Sequence, residues 1–280
     1  MALEELKGAV RCVGQMPALW IPGCIAGLLA GALWILFSLF GTFFASRLFV
    51  ISGLVMILFV AGSYAIINSG EKNAGTLLAK GAQYYFRVLL PLLVIAFATL
   101  LVFVLIVITA TFATGGTPDM LVLAMTSIFI MIPTFFLTFF SDTAAVFEDT
   151  RVFNSIRRSI ELTVTHAAEV IAFYVVCAIL CFVDFFLCSV IWEALLYNQL
   201  QPLTTYNETQ LAAITPSELA RMIGPDGMWV TAVMIFIGIA LILPVLLAYK
   251  GIFFKKIAGS PVPVRETTGE YDRKGRWYKY

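Results

Sequence analysis

The chain holds 280 residues, of which 61% are hydrophobic and only 12% charged, with a mean hydropathy of +0.95. A water-soluble domain carries roughly 25% charged residues, so 18 Lys and Arg with 17 Asp and Glu cannot coat a fold of this size. The composition excludes an ordinary cytosolic enzyme, a disordered chain and a basic nucleic-acid binder, and it predicts an all-α polytopic membrane protein.

The chain begins with an amphipathic segment in which Leu3, Leu6, Val10 and Val13 oppose Lys7, Arg11 and Gln15. No charge follows until Arg47. That run is much longer than a signal-peptide core of about 7–15 residues, so it reads as a retained membrane span. The span covers about 18–45 and carries Gly23, Gly27 and Gly31 on one face. Small residues at this spacing let helix backbones approach closely in lipid. They mark a helix-packing interface, either within the chain or between copies. A second apolar run covers about 48–67.

In 72–88 polar residues recur at Lys72, Lys80 and Arg87, with Leu77, Leu78 and Tyr84 between them. This is helical periodicity with one wet face. Spans follow at about 88–113 and 120–140, separated by the turn-forming TGGTPD, and Pro133 should kink the second of them. Another amphipathic helix is predicted over 150–165, with Asp149 as its N-cap. Val152, Phe153, Ile156, Ile160 and Val164 form its apolar face, opposite Arg151, Arg158 and Glu161. Asp142, Glu148 and Asp149 stand near Arg157 and Arg158, which reads as an ion network that would hold this helix, with a cytosolic metal site as the weaker option.

The fifth span, about 170–197, contains Asp184 and Glu193. An ionisable residue inside a membrane is a functional candidate by default. Asp184 reads either as a proton or cation site or as an acid hydrogen-bonded to a neighbouring helix. Cys177 and Cys181 share a helical face, but the only histidine, His166, lies outside that run. No metal site is therefore expected, and the thiols read as packing groups. The excursion 198–227 carries an Asn207-Glu208-Thr209 sequon and a short helix, TPSELARMIG, started by Thr215 and Pro216 and stopped at Gly224. The sixth span covers about 228–249 with a kink expected at Pro244, and 260–280 form a basic, aromatic cytoplasmic tail.

Lys and Arg concentrate on the cytoplasmic side of membrane proteins. With both termini inside, all of the 18 cations except Arg47 and Arg221 fall on the inner side. The expected architecture is six transmembrane helices with three amphipathic interfacial helices on the inner face of the cell membrane. Residues 1–259 form one domain of three units, about 1–68, 69–140 and 141–250, each an interfacial helix followed by a helix hairpin. No paired catalytic carboxylates, nucleophile-base pair or Gly-rich phosphate loop occurs, so neither an enzyme nor a cofactor is expected.

The segment FEDTRVFNSIRRSIELT resembles a pattern in uncharacterised prokaryotic multi-pass families, among them archaeal domains of unknown function. It is also similar to the membrane domain attached to some glycerophosphodiester phosphodiesterases. The matching positions are Pro133, Glu148, Ile156, Arg157, Arg158 and Ser159, with Gly81, Tyr84 and Pro91 before the third span. The resemblance implies a six-helix membrane domain of prokaryotic source. It transfers no hydrolase activity, since the soluble catalytic domain is not in this chain.

Two functions fit these features. The first is a non-catalytic scaffold or accessory subunit. It would contact anionic lipid or a partner complex through Lys72, Lys80, Arg87, Arg151, Arg157 and Arg158, with a homo-oligomer through the glycine face as one form. The second is a small-solute, ion or lipid transporter or channel working through Asp184.

Overall fold

A computed structural model describes residues 2–116, 119–207, 209, 214, 216–259, 269–271 and 277–279. Six helices are long and apolar enough to cross a membrane: Pro17–Phe40, Thr42–Ser69, Ala74–Phe112, Met120–Phe147, Ala167–Leu195 and Met222–Gly259. Their surfaces are those of a lipid-immersed protein. Phe112 is 84% and Phe129 76% exposed, and whole faces of Leu, Ile and Val are open around them. A soluble protein does not expose apolar surface on this scale.

In chain order, α1 (Ala2–Gln15) leads through a 3-10 turn into α2 (Trp20–Phe40), and α3 (Thr42–Ser69) follows. Gly41 alone reverses the chain between α2 and α3, at φ 74°, a backbone conformation that costs glycine nothing. The first span therefore ends before its predicted boundary at 45, and Arg47 sits in α3 with its guanidinium 3.9 Å from the Phe43 ring. Gly70 ends α3 in the left-handed conformation, and Asn73 caps the next helix by accepting a hydrogen bond from the Gly75 N–H at 3.0 Å.

That next helix, α4, runs unbroken from Ala74 to Thr114 through Pro91. The predicted amphipathic segment 72–88 is thus the first part of a spanning helix rather than a separate element. At 1.5 Å per residue its 41 residues reach about 61 Å, twice the roughly 30 Å hydrocarbon core. Its polar start must therefore project beyond the membrane. There Lys80 pairs with Glu71 at 2.6 Å, which holds the Glu71 carboxyl below its ordinary range.

Next come α5 (Met120–Thr138), α6 (Ser141–Phe147), α7 (Val152–Thr165), α8 (Ala167–Leu195), α9 (Tyr197–Leu200) and α10 (Pro216–Gly259). Helix α10 is interrupted only at Gly224, where φ is 64°, at the predicted stop, and it continues through Pro244. Two three-residue strands, β1 (Gly269–Tyr271) and β2 (Trp277–Lys279), pair antiparallel in the tail. The rest of the predicted tail, and the Thr215 cap, lie outside the described residues.

Two backbone-to-backbone seams organise the bundle. Gly23, Gly27 and Gly31 of α2 lie against α10: a Cβ on each would stand 2.7, 2.6 and 3.0 Å from the carbonyl oxygens of Ala240, Phe236 and Ala232. The glycine face is therefore packed against the chain's own last helix. Gly62 of α3 and Gly81 of α4 cross in the same way, against the carbonyls of Leu77 and Leu58. Around these seams an aromatic core gathers Phe140, Phe173, Tyr249, Phe253 and Phe254, with Phe173 centred 4.7 Å from both Tyr249 and Phe253. No residue of α5 is buried. The α4–α5 hairpin stands at the edge of the bundle.

Candidate functional site

The chemistry of the molecule concentrates where α5 ends. At this corner Ser159 of α7 donates to the Leu137 carbonyl at 2.8 Å and accepts from the Phe140 N–H at 3.0 Å. One buried hydroxyl thus satisfies a terminal carbonyl of α5 and a leading amide of α6, groups a helix end leaves unpaired. The corner aims Asp142, in the first turn of α6, back into the bundle. Asp142 Oδ1 accepts from the Thr143 amide at 2.6 Å and its hydroxyl at 3.1 Å. Opposite stands Lys250 of α10, 7% exposed, with Nζ 2.8 Å from each carboxylate oxygen. The ammonium also lies 3.9 Å from the Phe139 ring centroid and 5.6 Å from that of Tyr64. Charge pairing and the π-face replace the water a lysine normally keeps.

This pair closes one end of a cleft of about 670 Å³ between α4 and α5. The volume falls within the ordinary range of small-molecule sites. The α4 wall runs from Val88 to Phe103, about 22 Å at 1.5 Å per residue, and the α5 wall from Ser127 to Phe139. Leu92, Leu100, Met131 and Phe135 line the cleft and are also exposed outward, so it opens on the apolar side of the bundle. The wall hydroxyls spend their protons on their own helices. Thr99 donates to Ile95 at 2.7 Å, Ser127 to Leu123 at 2.8 Å, Thr134 to Ile130 at 2.8 Å and Thr138 to Thr134 at 2.6 Å.

The predicted site residues fall elsewhere. Asp184 sits in the α8–α10 seam, its Oδ2 3.2 Å from where a Gly238 Cβ would lie, with Cys188 equally close. It does not line the cleft, and among the described residues it has neither a hydrogen bond nor an ion pair. The predicted ion network forms in rearranged shape. Arg158 bonds Glu148 at 3.0 Å and Glu161 at 3.5 Å, whereas Arg157 is exposed. Asp149 does not cap α7; it turns with φ 51° and receives Arg87, which also bonds its carbonyl at 3.2 Å. Lys72, Arg151 and Asn207 are exposed, and no cluster of three potential metal ligands occurs among the described residues.

Helix α7 also presents an unexpected side to the protein. Its small-hydroxyl face, Ser155, Ser159 and Thr163, is buried, while Phe153, Ile160 and Val164 are exposed. Near α1, Lys256 pairs with Glu5 at 2.8 Å, and Lys255 donates to the last carbonyls of α3, Ile67 at 3.0 Å and Asn68 at 3.3 Å. Burial raises the pKa of the Cys12 thiol in this region.

Sequence reading placed Asp142 in a surface network and counted Lys250 with the tail cations. The signal that could have joined them is the apolar run Gly251–Phe254 after Lys250, which keeps α10 buried past the lysine. No family model, no curated protein and no solved structure matches the chain.

Proposed function

We propose that the chain is a non-catalytic protein of the cell membrane, with both termini cytoplasmic, that binds lipid in the α4–α5 cleft. The observation that carries this reading is the cleft itself: a long apolar slot, open on one side and ended by an ion pair between the buried Lys250 and the half-buried Asp142. A lipid chain lying in it would have its head against Asp142 and Lys250. The exposed apolar faces of α7 and α1, flanked by Arg151, Arg157, Lys7 and Arg11, support interfacial placement beside it against an anionic inner leaflet. Scaffolding of a partner complex remains part of this proposal, on the same basic surface. Kinship with the membrane domain of glycerophosphodiester phosphodiesterases is proposed on Pro133, Glu148 and Ile156–Ser159, with Gly81, Tyr84 and Pro91.

Ala96 lines the cleft and is exposed, so tryptophan there fills space without displacing a packed neighbour. Ala96→Trp should cut the lipid retained by the purified protein about tenfold, a change of about 1.4 kcal/mol, with an unchanged melting temperature. Native mass spectrometry after mild delipidation reads this directly. Equal retention by the variant sinks the cleft as the lipid site.

Transport through Asp184 is the second reading, and nothing in the arrangement of its neighbours favours it. Asp184→Asn should leave retained lipid unchanged, and proteoliposome fluxes of protons and monovalent cations should equal those of the parent. A collapse of flux in the variant restores the transporter.

A further inference from the structure

The polar end of the cleft has a definite hydrogen-bonding character. Lys250 brings one positive charge and Asp142 one negative, so the site is neutral as it stands. Near the pair the hydroxyls of Thr134 and Thr138 present lone pairs to the cleft, and farther along those of Thr99 and Ser127 do the same, because each proton is held by a backbone carbonyl one turn back. The walls therefore accept hydrogen bonds, and Lys250 is the charged donor at the head. An anionic headgroup entering here would bring a net charge into a poorly hydrated site whose one cation is already paired with Asp142, so its desolvation goes uncompensated. A headgroup that donates O–H and carries no charge meets acceptors on the walls and on Asp142, while its oxygens accept from Lys250.

Resting on the cleft as the lipid site, we propose that its ligand is an uncharged, hydroxyl-bearing lipid, of the diacylglycerol or long-chain alcohol class, selected against acidic lipids by the Asp142–Lys250 pair. One chain occupies the slot, and the hydroxyl head lies against the pair. Any second chain leaves on the open side of the cleft, where lining residues such as Leu100 and Met131 are exposed.

The test is competition on the full-length protein in detergent, read as bound adducts by native mass spectrometry. The probes are dioleoylglycerol, oleate and dioleoylphosphatidylglycerol at equal concentration. Dioleoylglycerol should bind at least about tenfold more tightly than either acidic lipid, since desolvating a charge that finds no free countercharge costs more than that ratio. Ala96→Trp should abolish its adduct. Asp142→Asn leaves Lys250 as a net cation, so the order should reverse in favour of oleate. Oleate or phosphatidylglycerol binding as tightly as dioleoylglycerol to the parent protein overturns the headgroup assignment and leaves the cleft reading standing. Adducts that ignore Ala96→Trp overturn the cleft reading itself. An Asp142→Asn protein that folds and keeps the parent's order removes the pair as the selector. If that variant does not fold, the competition on the parent protein decides alone.

Discussion

Replacing Lys250 with methionine should lower the unfolding free energy by about 3–5 kcal/mol, the range for removing one partner of a buried ion pair. The stem of the side chain survives in methionine, so the loss isolates the charge. Without the ammonium, Asp142 keeps its carboxylate in a corner where Thr143 supplies hydrogen bonds but no countercharge. Asp142→Leu should cost a similar amount, because it strands Lys250 among Phe139, Tyr64 and the aromatic core. The double variant Lys250→Met/Asp142→Leu should recover most of the loss, since apolar replacement of a whole buried pair is often neutral or stabilising. Unfolding in mixed micelles with increasing denaturing detergent measures all three. Two neutral single variants would show that water reaches the pair.

Placing a methyl group on Gly27 should separate α2 from α10. Its Cβ would lie 2.6 Å from the Phe236 carbonyl oxygen, and neither backbone can yield without moving its helix. Overpacking of this kind costs about 1–3 kcal/mol, occasionally more. Gly23→Ala should behave alike, because it meets both the Ala240 carbonyl at 2.7 Å and the Pro244 ring at 2.8 Å. Gly31→Ala, at 3.0 Å, should be the mildest of the three. Gly53→Ala is the control: it has nothing within 4 Å, and alanine is the better helix former by up to about 1 kcal/mol. The same unfolding measurement ranks the four variants. Equal effects at Gly27 and Gly53 would refute the close seam and leave only helix propensity.

Several features were legible in the residues themselves because each depends on short-range pattern. The six spans follow from runs of apolar residues that nothing but lipid can solvate. The close-packing role of Gly23, Gly27 and Gly31 follows from their spacing, though spacing alone does not say which helix fills the groove. The stop at Gly224 follows from the left-handed backbone that glycine tolerates. What failed locally was the division of 72–88 from its span, because nothing in that segment breaks a helix and Pro91 was absorbed within α4. Asp149 failed as a cap because a partner 62 positions away, Arg87, claimed its carboxylate.

The candidate site was the least legible part. Asp184 drew attention as a lone acid in an apolar run, yet it faces a glycine in a packed seam. Asp142 and Lys250 are 108 positions apart, and each reads by itself as an ordinary charge at a membrane border. By itself the sequence determined the all-helical build and the number of helices long and apolar enough to cross a membrane, since hydropathy counts need no knowledge of neighbours. Only the tertiary structure decided that α10 fills the glycine groove, that α4 and α5 splay into a cleft, and that one cation and one anion meet at its end. Those outcomes depend on which helix faces pack together, and pairing at long sequence separation leaves no local pattern to read.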